Sequence, residues 1–174
     1  MPQDGPLPPG LEQALLGNLN AAHNLARWLV RDPAAAEDVV QEAMLRAIRY
    51  AASWRGGDGR AWLLEIVRNT AHGWLAARRH RQEVPMDETP GAEAPDPAPD
   101  PEAALSGRQE RLGLAAAVAA LPVELRECLV LREFEELSYR DIARVTGVPI
   151  GTVMSRLWRA RRALLGTRAE RIEA

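Results

Sequence analysis

The sequence predicts an all-α protein built from two small helical domains, the first of three or four helices and the second of four, joined by a flexible acidic linker. The chain is rich in Ala and Leu and carries only five Trp, two Tyr and one Phe, so aromatic residues that favour strands are scarce. Apolar residues recur at helical spacing on both sides of residues 83–107, with no strand-like alternation. Residues 83–107 are rich in Pro and acids and contain few large apolar side chains, a composition typical of a linker.

The formal net charge of −2 conceals a strong segregation of charge along the chain. Residues 53–82 contain six Arg and two acids, and residues 138–172 contain eight Arg and two acids. Between these blocks, residues 83–107 contain seven acids and no Arg. Two basic blocks on either side of an acidic tether indicate two modules that face a polyanion.

The first domain is predicted to begin with one long helix over residues 11–30, where Leu and Ala recur at helical spacing. Asp32 and Pro33 then suit the N-cap and the first position of a second helix, predicted over residues 34–50. The inward face of this second helix is predicted to comprise Val39, Val40, Met44, Ala43 and Ala47.

A glycine-rich loop is predicted over residues 53–60, followed by a third long helix over residues 61–81. The predicted apolar stripe of that helix is Trp62, Leu63, Ile66, Val67, Thr70, Trp74 and Leu75. Its last turn is basic, which favours a helix end near residue 81.

The second domain starts where residues 108–120 regain helical spacing. Leu121 and Pro122 predict a break, after which a short helix is predicted over residues 123–135. Its inward residues are predicted to be Leu125, Cys128 and Leu129, with Phe134 as a further candidate. As the single cysteine, Cys128 excludes an internal disulfide within the chain, and its apolar neighbours favour a buried thiol.

Residues 137–165 predict two helices joined by a tight turn. Ser138 suits the N-cap of the first helix, and Asp141 can complete a capping box. Gly147 falls where a helix end favours a left-handed residue. The buried stripe of the second helix is predicted to comprise Val153, Leu157, Ala160 and Leu164.

The outward face of the second helix carries Thr152, Ser155, Arg156 and Arg159, short hydroxyls and guanidiniums that are typical of a DNA-reading helix. An ordinary helical hairpin with a solvated basic face is the alternative. The joint spacing of Ala143, Gly147 and Val153 favours the helix-turn-helix. Trp158 lies to one side of the stripe, and we expect it to pack in the core.

No motif indicates catalysis. His23, His72 and His80 match no zinc-helix spacing, and the chain lacks the phosphate-binding GxxxxGK and the nucleophile motif GxSxG. We expect no enzyme activity, no metal and no cofactor. No stretch approaches the length of a membrane span, and the first residues lack a signal-peptide layout, so we expect a cytoplasmic protein without membrane insertion.

Three stretches resemble one known family. They are DPAAAEDVVQEAMLRA at residues 32–47, WRGGDGRAWLLEIVRN at residues 54–69, and LPVELRECLVLREFEELSYRDIARVTGVPIGTVMSRLWRARRAL at residues 121–164. In this order they are similar to bacterial RNA polymerase sigma factors of the extracytoplasmic-function (ECF) group of the sigma-70 family. The resemblance implies a region 2-like domain over residues 11–82, a linker over 83–107, and a region 4-like helix-turn-helix domain over 108–170.

The resemblance also implies three sets of contact residues. The core polymerase would bind Asp38, Gln41 and Glu42. The minus-10 element would contact Trp54, Arg55, Arg60, Asn69, Arg78 and Arg79. The minus-35 element would contact Ser155 and Arg156 at base edges and Thr152, Arg159, Arg162, Arg140 and Arg144 at phosphates. The family often carries Asp or Asn four residues beyond Asn69, where this chain has Gly73, which we expect to cost about 1 kcal/mol of helix propensity.

The function implied is a bacterial transcription initiation factor that binds core RNA polymerase, directs it to minus-35/minus-10 promoters and assists melting. Its partners would be core RNA polymerase and promoter DNA, as duplex and as non-template single strand, with an anti-sigma factor as a further candidate. The alternative is a free-standing helix-turn-helix regulator with an N-terminal sensing or dimerisation domain. The basic block at residues 53–82 favours the sigma factor, because a sensing domain has no need of it.

Overall fold

The computed structural model describes residues 7–57, 59–82 and 103–172, and every regular element in these ranges is helical. The α-helices are α1 (Leu11–Gly17), α2 (Leu19–Val30), α3 (Pro33–Arg49), α4 (Arg60–Gln82), α5 (Ala103–Ala120), α6 (Val123–Glu133), α7 (Tyr139–Thr146) and α8 (Ile150–Ile172). A 3-10 turn, Ala51–Ser53, follows α3. The all-α prediction is therefore confirmed. Among the described helices, none is long and apolar enough to cross a membrane.

The single helix predicted over residues 11–30 is wrong, because Asn18 divides it into α1 and α2. Asn18 has φ −111° and ψ 10°, outside helical geometry, and its side-chain Nδ2 donates to the carbonyl of Ala14 at 2.8 Å. A side-chain amide that bonds the preceding turn offers the backbone an alternative to helical continuation. After this break, α1 places Leu11 and Leu15 in the core of the first domain.

The start of α3 matches the prediction. Asp32 is the N-cap, its Oδ1 accepts from the Ala35 N–H at 3.0 Å, and Pro33 occupies the first turn. Val39, Val40, Ala43 and Ala47 are buried and Met44 packs against them. The predicted inward face is thus confirmed.

α4 runs unbroken through Gly73, which is exposed and has open space around the position of a Cβ. Its buried face includes Leu64 and Ala71, which the predicted stripe omitted. Gly59, just before α4, has φ +67°, and a Cβ there would lie 2.8 Å from the ring of Trp54. Glycine is therefore required where the loop closes over Trp54.

The second domain follows the predicted order of four helices. The Ser138 hydroxyl accepts from the Asp141 N–H at 3.1 Å, and Gly147 ends α7 with φ 69°. Val153, Leu157 and Ala160 are buried and Leu164 is partly buried. Cys128 is buried, as predicted.

The packing expected for Trp158 is wrong. Its side chain is 58% exposed, and the Arg162 guanidinium lies 5.1 Å from the ring centroid. Trp158 directly follows buried Leu157, and one residue turns a helix by about 100°, so the ring leaves the core-facing stripe.

The two domains pack against each other, which the sequence did not predict. α6 lies against α2, α7 lies against α4, and one buried apolar cluster contains residues of both domains. Arg126 of α6 joins them further, because its guanidinium donates to the carbonyls of Ala119 and Leu121 and, at 3.3 Å, to that of Leu29 in α2. Burial lowers the pKa of Arg126 to about 10.

The predicted linker is described only at its C-terminal end, where α5 begins at Ala103. Residues 83–102, on which the rest of the linker prediction falls, lie outside the described residues.

Candidate nucleic-acid and polymerase interfaces

α7 and α8 present most of the residues assigned to the minus-35 element at the surface. Five of the seven are exposed: Arg140, Arg144, Ser155, Arg159 and Arg162. The N-cap at Ser138 and the left-handed turn at Gly147 fix where α7 begins and ends, and α8 follows after Pro149. This pair has the helix–tight turn–helix arrangement with which helix-turn-helix proteins enter a major groove.

Arg156 and Thr152 are the two partly buried members of this set. The Arg156 side chain is 16% exposed, and its Nη1 lies 3.3 Å from Oε1 of Glu127 in α6. A guanidinium bonded to a carboxylate cannot at the same time chelate a guanine with the same donors. Arg156 is therefore engaged by the protein itself in this structure.

Glu127 is a fully buried carboxylate that the sequence did not single out. Arg68 of α4 donates to both its oxygens, from Nε at 2.9 Å and Nη2 at 3.1 Å, and His72 Nε2 lies 2.6 Å from Oε2. Burial acts to raise the pKa of Glu127, but the hydrogen bonds of His72 and Arg68 outweigh it and hold the pKa below its usual range. Removing one partner from such a buried ion cluster typically costs about 3–5 kcal/mol.

A signal for Glu127 existed in the sequence but was incomplete. An acid stands in the otherwise largely apolar run 125–131, where a charge needs a partner. Arg68 and His72 lie in the other domain, and no local pattern brings them together with Glu127. The neighbouring Cys128 is inert in this environment, since burial raises its pKa to about 11.

The residues assigned to the minus-10 element are not all equally available. Arg55, Asn69 and Arg79 are exposed, and Arg78 is half-buried with its guanidinium 5.2 Å from the ring centroid of Trp74. Arg55 donates to the carbonyl of Ala52 at 3.2 Å, which holds it beside the glycine-rich loop.

Two members of this set make contacts within the protein instead. Trp54 is 9% exposed, and its ring lies 5.5 Å from that of Trp62, so its contact with DNA would require the loop to open. Arg60 donates from Nη2 to Glu135, a buried carboxylate just after α6 that also accepts from Asn24. Arg60 is thus held, like Arg156, by a carboxylate of the second domain.

α3 presents a mixed polar and apolar stripe. Asp38 and Gln41 are exposed, as the predicted polymerase contact requires, and Glu42 pairs with Arg46 at 2.8 Å. That hydrogen bond from Arg46 lowers the pKa of Glu42. Leu45 and Ile48 are 53% and 48% exposed and continue the face of Asp38 and Gln41 at helical spacing, a feature that the sequence prediction missed.

A groove of about 640 Å³ separates α2 from α5. Its lining includes the apolar residues Trp28, Leu112 and Phe134 and the charged residues Arg27, Arg31 and Asp32. Trp28 and Phe134 contact each other across the domain boundary, with ring centroids 5.5 Å apart.

Two family models match the chain in order. The model of sigma-70 region 2 matches residues 16–81, and that of sigma-70 region 4 matches residues 111–164. Among curated relatives, the RNA polymerase sigma-H factor of Pseudomonas aeruginosa is 39% identical over 156 residues, covering 84% of this chain and 81% of the relative. The ECF RNA polymerase sigma-E factor of Escherichia coli K12 is 35% identical over 136 residues, covering 73% of this chain and 70% of the relative.

Solved structures show the same fold. The sigma factor RpoE of Bartonella quintana, solved in complex with the anti-sigma factor NepR, has a TM-score of 0.70 and 28% identity, covering 91% of this chain and 96% of that chain. CnrH, in complex with the cytosolic domain of CnrY, has a TM-score of 0.62 at 21% identity, covering 92% of this chain and 88% of that chain, and supports the fold alone. With both region models matched in order and both relatives covered over more than two thirds of their length, the chain belongs to the ECF group of sigma-70 family RNA polymerase sigma factors, which direct transcription initiation at promoters.

Proposed function

We propose that this sigma factor holds core RNA polymerase through α3, the minus-35 element through α7 and α8, and the minus-10 element through the loop before α4 and α4 itself. The observation that carries the proposal is the capped helix-turn-helix of α7 and α8, which presents Ser155 and Arg159 outward. The free-standing regulator is not favoured, because both sigma regions match in order.

At the minus-35 element, Arg156 and Ser155 read base edges. Arginine can donate two hydrogen bonds to guanine O6 and N7 in the major groove. Thr152, Arg159 and Arg162 on α8 and the exposed Arg140 and Arg144 on α7 hold phosphates, which set the register of α8.

At the minus-10 element, Arg55 and Arg60 flank a loop in which Gly56 and Gly57 have positive φ. Such a loop can come close to an unpaired base, while the exposed Asn69 offers an amide to a base edge and Arg78 and Arg79 follow the strand backbone. Melting then proceeds through binding of the unpaired strand, without a catalytic group, in the cytoplasm where polymerase and chromosome meet.

The proposed polymerase contact on α3 combines charged and polar side chains with apolar ones. Asp38, Gln41 and Glu42 supply polar contacts, and the exposed Leu45 and Ile48 supply apolar surface on the same helix. Apolar side chains bordered by polar ones match the arrangement of an apolar interface core with a polar rim.

An anti-sigma factor is a further proposed partner, with the groove between α2 and α5 as its binding site. The similar Bartonella quintana sigma factor was solved with such a partner, and the apolar and basic residues that line the groove suit an acidic amphipathic helix. A purified anti-sigma factor that blocks transcription by this chain should lose that effect when Ala116→Arg fills the groove. Undiminished inhibition of the variant would place the partner elsewhere.

The proposed function is tested by transcription with purified core RNA polymerase on a genomic DNA library, followed by mapping of transcript 5′ ends. We expect new starts that share a minus-35/minus-10 pair and that depend on the added chain. Specific duplex binding by the chain alone, without stimulation of core polymerase, would contradict the proposal.

A further inference from the structure

Two buried carboxylates of the second domain bind cationic side chains of the first domain and of α8. Glu127 is 0% exposed and binds Arg68 and His72 of α4 and Arg156 of α8. Glu135 is 5% exposed and binds Arg60 at the start of α4 and Asn24 of α2.

We propose that Glu127 and Glu135 form a latch that holds the free chain closed and keeps Arg156 and Arg60 from promoter DNA. The latch is defined as these two carboxylates with Arg60, Arg68, His72 and Arg156. The part of this inference that concerns DNA rests on the proposed function, since it takes Arg156 and Arg60 as promoter contacts. The closed packing itself does not depend on that assignment.

The closed state is expected to open as a unit. A carboxylate as buried as Glu127 is stable in its ionised form only with its cations in place, so it leaves the interface when the domains separate and water reaches it. Partial opening would leave Glu127 or Arg68 buried without its partner. Two discrete arrangements are therefore favoured over a continuous range.

Latch and promoter compete for the same donors. The Arg156 side chain is 16% exposed because Glu127 and the surrounding packing cover it, and the Arg60 side chain, although 35% exposed, is bound to Glu135. Phosphates and guanine would have to replace these carboxylates as acceptors. Affinity of the free chain for DNA is therefore reduced by the fraction of molecules that are closed.

The apolar contacts between the two domains also support distinct closed and open states. Trp28 of α2 packs against Phe134 after α6, and Phe134 is still 48% exposed. α7, the first helix of the DNA-reading pair, packs directly on α4, the helix assigned to the minus-10 strand. In this arrangement, access to one DNA-reading element is limited by the other.

The principal test compares the full-length variants Glu127→Gln and Glu133→Gln. Both remove one negative charge from α6, but Glu133 is exposed and pairs with Arg161 inside the second domain. We expect Glu127→Gln alone to increase the radius of gyration in small-angle X-ray scattering. We also expect it alone to raise affinity for a fluorescent mixed-sequence duplex by about tenfold, the change expected if about nine in ten wild-type molecules are closed.

Two further variants decide the matter if Glu127→Gln loses helical circular dichroism. Glu135→Gln releases Arg60 without touching Glu127, and Arg68→Gln opens the latch from the first domain while removing a positive charge. Expansion of both with helicity retained supports the latch. Arg68→Gln makes the protein less basic and weakens its general attraction to DNA. An increase in the radius of gyration of this variant therefore cannot result from a more basic surface.

Scattering and DNA binding separate the two parts of the inference. Unchanged dimensions in all three latch variants would overturn the latch. Expansion without any gain in DNA affinity over Glu133→Gln would overturn the masking of Arg156 and Arg60, and would count against their assignment to promoter contact while leaving the family assignment untouched.

Discussion

At the residue scale, Glu127 is the ionised group on which the closed arrangement depends most. It faces Arg68 and His72 from α4 and Arg156 from α8. Burial acts to raise its pKa, but His72 and Arg68 outweigh that effect and hold the pKa below the usual range. A carboxyl with a lowered pKa in the folded state contributes stability that is present above its unfolded pKa, about 4.3, and lost as the pH falls through the folded value.

We therefore expect the thermal stability of the wild type to fall as the pH is lowered from about 5 through the folded pKa of Glu127. Part of this fall should be absent in Glu127→Gln and retained in Glu133→Gln. Thermal unfolding followed by circular dichroism over this pH series measures it. Parallel pH profiles for the wild type and Glu127→Gln would show that Glu127 does not carry the linkage.

Arg156→Ala should weaken use of the minus-35 element and relax its sequence preference. The loss should be about 1–3 kcal/mol if the arginine chelates a guanine. Transcription from promoters with single substitutions in the minus-35 element measures both effects. Arg161→Ala is the matched control on the same helix, because Arg161 pairs with Glu133 and is assigned no DNA contact. An unchanged preference in Arg156→Ala would refute the assignment.

Gly73→Ala should stabilise the protein by about 0.5–1 kcal/mol, because Gly73 is exposed within α4 and a Cβ there meets open space. For a chain of this size the melting temperature should rise by about 1–4 °C. Gly59→Ala is the contrasting substitution, since φ +67° and the Trp54 ring at 2.8 Å leave no room for a methyl. A destabilised Gly73→Ala would mean that α4 has a requirement for glycine that its packing does not reveal.

At the element scale, α3 is expected to act as a separable polymerase contact. Asp38→Arg should lower affinity for core polymerase by reversing a charge on the exposed stripe, and should leave binding of duplex DNA by the chain undiminished. Competition against a labelled sigma factor for core polymerase measures the first effect. Glu12→Arg, at an exposed acid of α1, is the control for a general change of charge. Equal losses of affinity for core polymerase in both variants would show that α3 is not part of the interface.

The elements that the sequence predicted well have strong local signals. Asp32 with Pro33, and Ser138 with Asp141 and Gly147, fix helix ends through hydrogen bonds made within a few residues. The errors arose where a signal was weaker or ambiguous. Asn18 is a polar residue of a kind common within helices, and the sequence does not show that its side chain bonds the carbonyl of Ala14. Trp158 is apolar, but it lies outside the buried stripe of α8.

The candidate contact sites were predictable to different degrees. Exposed members such as Arg140, Arg159 and Asp38 lie where helical periodicity places them. The occupied state of Arg156 and Arg60 was not predictable, because Glu127 and Glu135 reach them only through packing between domains. Periodicity reports which side of a helix is buried, but it does not report which distant helix covers that side.

At the scale of the whole molecule, the chain combines two DNA-reading modules with a shared core. Two modules that polymerase must bring to the correct spacing are expected to bind DNA weakly by themselves. The packing of α4 against α7, and the binding of Arg60 and Arg156 by the two buried carboxylates, would weaken DNA binding by the free chain further. Core polymerase would then both position the modules and favour their separation.

Recognition of both promoter elements by this sigma factor on core polymerase can be measured by run-off transcription with purified core polymerase and a promoter identified by transcript mapping. We expect initiation that requires the chain, falls when either promoter element is substituted, and falls with Arg156→Ala only while the minus-35 element is intact. Transcription that is independent of the minus-35 element, or no stimulation of core polymerase by the wild-type chain, would contradict this expectation.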